Sequence, residues 1–153
     1  MKKRNYQLLI GLMCISLFLM LASMTAGAQN MSVNPFKINL NAQGAAENIQ
    51  CAYPGTLPSG YSISGQDIQL YFAGGYVTDA YAVGYCAIDD MIFVRFDWMT
   101  VISSPVLLPL ANTGQVGVNI TGYFTVTNSA GDSIDIDVNR SGYAEVIKPG
   151  NRK

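Results

Sequence analysis

Residues 115–138 carry the pattern that most constrains the fold of this chain. Polar residues alternate there with a row of apolar residues and one glycine, namely Val116, Val118, Ile120, Gly122, Phe124 and Val126. After a turn composition at 128–132, the same row resumes with Ile134, Ile136 and Val138. A period of two is typical of a strand with one buried and one solvated face. We therefore predict one long antiparallel hairpin, half of a sheet that a second layer must cover.

Shorter strand-like segments, separated by turn residues, occupy the chain before this hairpin. They cover residues 36–40, 48–53, 67–72, 76–88 and 91–96. Residues 76–88 make two short strands in this interpretation, and residues 143–147 continue or complete the last strand. Asp97 is placed to cap a short helical turn near 98–102. Seven or eight short strands predict an all-β fold, an antiparallel β-sandwich.

The N-terminus has the three parts of a secretory signal peptide. A basic run at residues 2–4 precedes an apolar segment of about 15 residues, which is shorter than the roughly 20 that a membrane span needs. Ala26 and Ala28 then form an exit that a signal peptidase recognises. We expect cleavage after Ala28, and the alternative is an uncleaved N-terminal anchor. The predicted organisation is a signal peptide at 1–28, a mobile segment at 29–35, the sandwich at 36–148 and a polar tail at 149–153.

Charge and length limit the classes of function. All ten acidic residues lie beyond residue 28, whereas three of the nine basic residues precede it, so the mature chain would carry a net charge of about −4. A chain with a net negative charge lacks the stripe of basic residues that binds phosphates, so we expect no nucleic-acid partner. We also expect no membrane span after cleavage, so the protein would be extracellular, periplasmic or held at the cell surface.

Two cysteines, Cys51 and Cys86, remain in the mature chain. In an exported protein an even pair most simply forms a disulfide, and two buried thiols are the alternative. A zinc site is disfavoured, because the sequence has no histidine to complete its tetrahedral shell.

Seven phrases along the chain resemble those of an immunoglobulin-like module found in archaeal and bacterial extracellular proteins. They lie at residues 36–41, 48–53, 57–61, 68–70, 93–97, 116–122 and 146–150. The resemblance covers nearly the whole mature chain and consists of strand and turn phrases. It implies an immunoglobulin-like sandwich with a structural or adhesive role and no catalysis.

One loop departs from that family, which usually carries an aspartate-rich, calcium-like loop before the strand at 91–96. Here the loop retains Asp89 and Asp90, with Asp79 as a third weak calcium candidate. Calcium needs six to eight oxygen ligands, so we predict no metal there. Our hypothesis is that a Cys51–Cys86 disulfide stabilises this loop in place of the ion.

Catalysis has few candidate residues in this sequence. The absence of histidine removes the commonest general base and every Ser/His/Asp or Cys/His arrangement. Two carboxylate pairs remain, Asp89 with Asp90 and Asp135 with Asp137, and we interpret the first as a turn and the second as a solvated strand face. We expect no enzyme and no cofactor, and a hydrolase that uses carboxylates alone is the weakest alternative.

Aromatic residues give the better functional candidates. Five of them cluster within about thirty residues and could stack on sugars or anchor protein contacts; they are Tyr71, Tyr76, Tyr81, Tyr85 and Trp98. Strand parity places Tyr71 on the outer face, opposite Leu70 and Phe72. The alternative is that all five fill the core and rim of the sandwich.

These observations favour an exported, non-catalytic structural or adhesion module of the cell envelope or extracellular space. A carbohydrate-binding module that uses exposed Tyr and Trp is the second hypothesis. Partners would be a protein or glycan at the cell surface, and unpaired edge strands would also permit self-association.

Overall fold

The computed structural model describes residues 31–42 and 48–150. Within these ranges, strands form two sheets that face each other, which confirms the all-β sandwich. The predicted signal peptide, the last three residues of the predicted tail and the loop at 43–47 lie outside the described residues.

One sheet has four strands in the order β1-β3-β7-β6. Its strands are β1 (Ser32–Asn34), β3 (Asn48–Pro54), β6 (Ala82–Cys86) and β7 (Met91–Asp97). All of its neighbouring strands are antiparallel. Alternate residues of the central strand β7, Ile92, Val94 and Phe96, are buried against the other sheet.

The second sheet has five strands in the order β2-β9-β8-β4-β5. Its strands are β2 (Lys37–Asn39), β4 (Tyr61–Phe72), β5 (Gly75–Asp79), β8 (Gln115–Asn128) and β9 (Ser133–Ile147). The predicted hairpin is its centre, because β8 and β9 pair continuously from Gln115 with Glu145 to Thr127 with Ser133. The pairing of β2 with β9 is parallel, which the purely antiparallel prediction did not include.

The helical turn and its cap are also confirmed. Helix α1 (Trp98–Ile102) is five residues long, and a carboxylate oxygen of Asp97 accepts a hydrogen bond from the Thr100 N–H at 2.7 Å. A hydrogen bond from the Thr100 hydroxyl, followed by this backbone bond, holds the pKa of Asp97 below its usual value. A single 3₁₀ turn, Leu108–Leu110, precedes β8.

The core lies between the two sheets and follows the predicted period of two. Val118, Ile120, Phe124 and Val126 of β8 are fully buried. On β9 the predicted inward row is only partly covered. Val138 is buried and Ile136 half-buried, whereas Ile134, at the tip of the hairpin, keeps 43% of its surface exposed.

The segment predicted to be mobile at 29–35 is instead part of the sandwich where it is described. Ser32–Asn34 is a ninth strand, and Val33 on it pairs with Cys51 of β3. Met31 and Val33 are each only 6% exposed. Burial of these two apolar side chains, which the polar composition around them concealed, stabilises this strand.

The predicted disulfide is wrong, since both Cys51 and Cys86 are free thiols. Cys51 pairs with Val94 and Cys86 with Met91, so the whole of β7 separates the two cysteines. Two strand spacings amount to about 10 Å, whereas a disulfide needs α-carbons within about 7 Å. Cys51 is also fully buried, and Cys86 lies on the opposite face of its sheet. The hypothesis that a bridge staples the loop at 85–90 fails for the same reason.

Candidate functional site

Three tyrosines, an asparagine and a serine lie close together on the outer face of the five-stranded sheet. We call this group the tyrosine face, and it consists of Tyr71, Tyr76, Asn119, Ser141 and Tyr143. Tyr71 pairs with Tyr76 on one side and with Asn119 on the other, and Asn119 pairs with Ser141. These residues therefore form one row across four strands. Tyr143 lies one step further along β9, opposite Gly117.

This row faces outward, because the residues that alternate with it along the strands are buried. Leu70 and Phe72 on β4, like Ala144 and Val146 on β9, are buried in the core. The residues between them must point to the other side of the sheet, because side chains alternate along a strand. This confirms that Tyr71 faces outward.

Two of these tyrosines contact each other. The rings of Tyr71 and Tyr76 meet edge to face, with centroids 5.9 Å apart and an interplanar angle of 69°. The Tyr76 hydroxyl donates to a carboxylate oxygen of Asp79 at 3.1 Å. Partial desolvation and this hydrogen bond raise the pKa of Tyr76, so the phenol stays protonated at neutral pH. The contact and the bond together hold the Tyr76 ring in one orientation although half of its surface is exposed.

Tyr143 is separated from that pair by strand β8. It is 64% exposed, the largest value for any tyrosine in the described part of the chain. Its neighbour on β8 is Gly117, where an added Cβ would meet no atom within 4 Å. Since β8 separates Tyr71 on β4 from Tyr143 on β9, their backbones lie about 12 Å apart, two strand spacings across the sheet and two residues along it. The result is a shallow trough with aromatic rings on both sides and the Asn119 amide in its base, and the Ser141 hydroxyl lies beside Tyr143 on β9.

Toward the hairpin tip the same outer face becomes hydroxyl-rich and acidic. Thr127 accepts or donates hydrogen bonds of 2.8 Å to both Ser64 and Ser133, and the Thr125 hydroxyl donates to Asp135 at 2.7 Å. These bonds cross three neighbouring strands. They keep these side chains in fixed positions relative to one another.

The remaining predicted aromatics do not extend the tyrosine face. Tyr81 and Tyr85 lie at the β6 edge of the other sheet, where Tyr81 is 52% exposed and Tyr85 is half-buried against the core. The Tyr85 hydroxyl donates to Asp90 at 2.7 Å, which raises the pKa of this tyrosine. The predicted cluster of five is therefore divided between two sheets.

Trp98 is not a ligand-binding residue, contrary to the prediction. It is only 3% exposed, and its indole N–H donates to the Ala42 carbonyl at 2.9 Å. A buried indole satisfied by a backbone carbonyl anchors the start of α1 in the core. For this residue the alternative, that the aromatics fill the core, is the correct one.

The three weak calcium candidates do not converge. Asp79 ends β5 in the five-stranded sheet, whereas Asp89 and Asp90 lie in the turn before β7. Within residues 31–42 and 48–150, no group of three or more Cys, Asp or Glu side chains is placed to hold a metal ion. Asp90 instead receives the Tyr85 hydrogen bond, and the Cys86 thiol contacts Asp89 at 3.7 Å.

Sequence reasoning missed Tyr143 as a candidate, although the signal was present. Tyr143 alternates with Ala144 and Val146 in the same way that Tyr71 alternates with Leu70 and Phe72. Clustering along the sequence favoured Tyr81 and Tyr85 instead. Cross-strand register brings Tyr143 and Tyr71 to one face although 71 positions separate them, and composition alone does not contain that register.

Comparisons of the chain with protein-family models, with curated proteins and with solved structures find no match. The resemblance to an immunoglobulin-like family therefore stays a prediction. Among the helices that the structure describes, none is long and apolar enough to cross a membrane.

Proposed function

We propose that this protein is an exported, non-catalytic adhesion module that attaches to a cell envelope or extracellular surface through its tyrosine face. The observation that carries the proposal is the trough between Tyr71, Tyr76 and Tyr143 on the outer face of the five-stranded sheet. Exposed tyrosines supply a large contact area at a low cost in conformational entropy, and they are enriched at binding surfaces.

The interior of the sandwich supports a binding role over a catalytic one. Every buried side chain in the described ranges belongs to an apolar or aromatic residue or to cysteine. Cys51, the buried thiol, is a poor nucleophile because burial raises its pKa to about 12. The absence of histidine from the sequence points the same way.

Export is the part of the proposal that rests on the N-terminal pattern of a basic run, an apolar segment and an Ala-Gly-Ala exit. It places the module in the periplasm, at the cell surface or outside the cell. A lone sandwich takes its role from what it contacts, so the surface residues define the function.

Glycan binding is the second candidate function, and the geometry of the trough favours it. Two aromatic sites about 12 Å apart, with Asn119 between them and Ser141 beside Tyr143, offer ring faces for sugars and polar groups for their hydroxyls. The neighbouring Asp67, Asp135 and Asp137 on the same outer face favour neutral or amino sugars over acidic ones, because like charges repel.

Retention on immobilised polysaccharides and on whole cell envelopes tests the adhesion role. Tyr143→Ala should lower retention about tenfold, which corresponds to about 1.4 kcal/mol of binding free energy. Tyr81→Ala is the matched control, since Tyr81 is similarly exposed but lies on the other sheet. Competition by soluble glycans would assign the ligand to sugars, and its absence would assign it to a protein.

Equal retention of the native protein and Tyr143→Ala on every surface that binds the protein would contradict the proposal. An equal loss in Tyr143→Ala and Tyr81→Ala would also contradict it, because the loss would then not depend on the tyrosine face.

A further inference from the structure

Strand β9 has one side that is paired along only part of its length. On its other side it pairs with β8 throughout. On the open side, β2 pairs with Glu145, Val146 and Ile147, and the Met31 N–H donates to the Ser141 carbonyl at 3.0 Å. From Ser133 to Asn139, no residue of the described ranges pairs with that side.

The observed hydrogen bonds show which backbone groups face this edge. The Ser141 carbonyl points to Met31, and the Glu145 N–H donates to the Phe36 carbonyl at 2.8 Å, so odd-numbered residues of β9 face away from β8. In an antiparallel pair, the N–H and C=O of one residue point to the same side and alternate along the strand. The N–H and C=O groups at the edge therefore belong to Ser133, Asp135, Asp137 and Asn139.

The side chains beside this edge are apolar on the inner face of the sheet and acidic on the outer face. Ile134 and Ile136 lie on the inner face, where one is exposed and the other half-buried. Asp135 and Asp137 lie on the outer face. The only salt bridge within the described residues joins Lys37 to Glu145, so no described cation neutralises these two aspartates.

We propose that the β9 edge from Ser133 to Asn139 binds an extended segment of a partner protein in which basic and apolar residues alternate. The segment would add a tenth strand, with main-chain hydrogen bonds to the four edge-facing residues. Its basic side chains would face Asp135 and Asp137, and its apolar side chains would cover Ile134 and Ile136. The inference deepens the proposed function and rests on it in one respect, that the partner is met outside the cytoplasm.

A second copy of the chain is a poorer occupant of this edge. Two β9 strands paired antiparallel around Ile136 would place Asp135 of each copy opposite Asp137 of the other. Like charges directly opposite each other destabilise a strand pair. Among the self-association contacts that open edges allow, this one is therefore disfavoured at neutral pH.

Peptide titration tests the proposal on the full protein. The probe is an N-acetylated peptide of alternating lysine and valine, seven residues long, and its control replaces each lysine with glutamate. The lysine peptide should bind and the glutamate peptide should not. Asp137→Pro should weaken binding at least tenfold, because proline removes an edge-facing N–H that β8 does not use. Asp137→Ser is the matched control, since it removes the same charge and keeps the N–H.

Charge reversal provides a second variant that does not alter the backbone. The double variant Asp135→Lys with Asp137→Lys should bind the glutamate peptide in preference to the lysine peptide. Circular dichroism should show the same strand content in all variants. If either Asp137→Pro or the double lysine variant does not fold, the other one is the test.

Three outcomes would overturn the inference. The first is no binding of the lysine peptide to the native protein. The second is equal binding to Asp137→Pro and Asp137→Ser, which indicates a purely electrostatic contact. The third is a dimer, seen by light scattering, that Asp137→Pro abolishes. Tyr143→Ala should leave peptide binding unchanged. A native protein that is retained on envelopes but does not bind the lysine peptide would contradict this inference alone. A native protein that binds the lysine peptide but whose envelope retention is unchanged in Tyr143→Ala would contradict the proposed function alone.

Discussion

The guanidinium carbon of Arg140 lies 4.8 Å from the centroid of the Tyr53 ring, and this contact joins β9 of one sheet to β3 of the other. Tyr53 is 2% exposed, and its hydroxyl has no hydrogen-bond partner among the described residues. The Arg140 Nε is likewise buried without a described partner. A cation over an aromatic face stabilises by about 0.5–2 kcal/mol, which offsets part of the cost of burying these polar atoms.

Tyr53→Phe should leave stability at pH 7 unchanged or raise it by about 1 kcal/mol. The substitution keeps the ring that Arg140 covers and removes a buried hydroxyl that has no described partner. Urea denaturation of the two proteins measures the difference. A loss of more than about 1 kcal/mol would show that the hydroxyl makes a stabilising bond, contrary to the geometry.

Stability should fall as the pH rises above about 9. Burial raises the pKa of the Cys51 thiol and the Tyr53 phenol to about 12 each, from ordinary values of 9.0 and 10.0, although Arg140 opposes the shift at Tyr53. Between those values the unfolded chain loses protons that the folded chain keeps, so unfolding becomes easier with increasing pH. Each group contributes about 1.4 kcal/mol per pH unit in its window.

Urea denaturation between pH 7 and pH 11 measures this slope. In Tyr53→Phe the slope above pH 10 should be smaller than in the native protein, while the part between pH 9 and pH 10 should remain. An identical slope in both proteins would mean that Tyr53 titrates normally in the folded state.

Gly122→Ala should destabilise the fold by about 3 kcal/mol or more. Gly122 has a φ of 133°, and an added Cβ would collide with the backbone of Asp67 on β4. Gly117→Ala is the matched control on the same strand, because its Cβ would enter open space; its cost should stay within about 1 kcal/mol. Thermal or urea denaturation compares the two. Equal effects would contradict the close approach of β4 and β8 at Gly122.

Thiol labelling should distinguish Cys51 from Cys86. In the folded protein, Cys86 should react with a maleimide and Cys51 should not, because Cys51 is fully buried with a raised pKa. Both should react after denaturation without a reductant. A chain that takes up no label at either position until it is reduced would contradict the strand arrangement, since it would require a bridge across β7.

Period-two alternation made the sheets predictable, and the same signal sorted inner from outer residues. It placed the hairpin, the strand of Ile92, Val94 and Phe96, and the outward side chain of Tyr71. Local capping chemistry likewise located α1 at Asp97. These features depend on residues that are near in sequence, which is why they could be read from it.

Features that depend on which strands are neighbours could not be predicted. Sequence parity gave no sign that β7 separates Cys51 from Cys86, so the cysteines were paired by their number alone. Trp98 lies near four tyrosines in the sequence, but its indole N–H donates to the Ala42 carbonyl, 56 positions away. Ser32–Asn34 has too few apolar residues to be recognised as a strand without its partner β3.

Hydroxyl-radical footprinting tests the central claim, that the tyrosine face is the attachment surface, most directly. The protein is oxidised free and while retained on cell envelopes, and modification is measured at each tyrosine by mass spectrometry. We expect oxidation of Tyr76 and Tyr143 to fall on binding while that of Tyr81 stays the same. Unchanged oxidation of Tyr76 and Tyr143 in the retained protein, or protection confined to Tyr81, would contradict the claim.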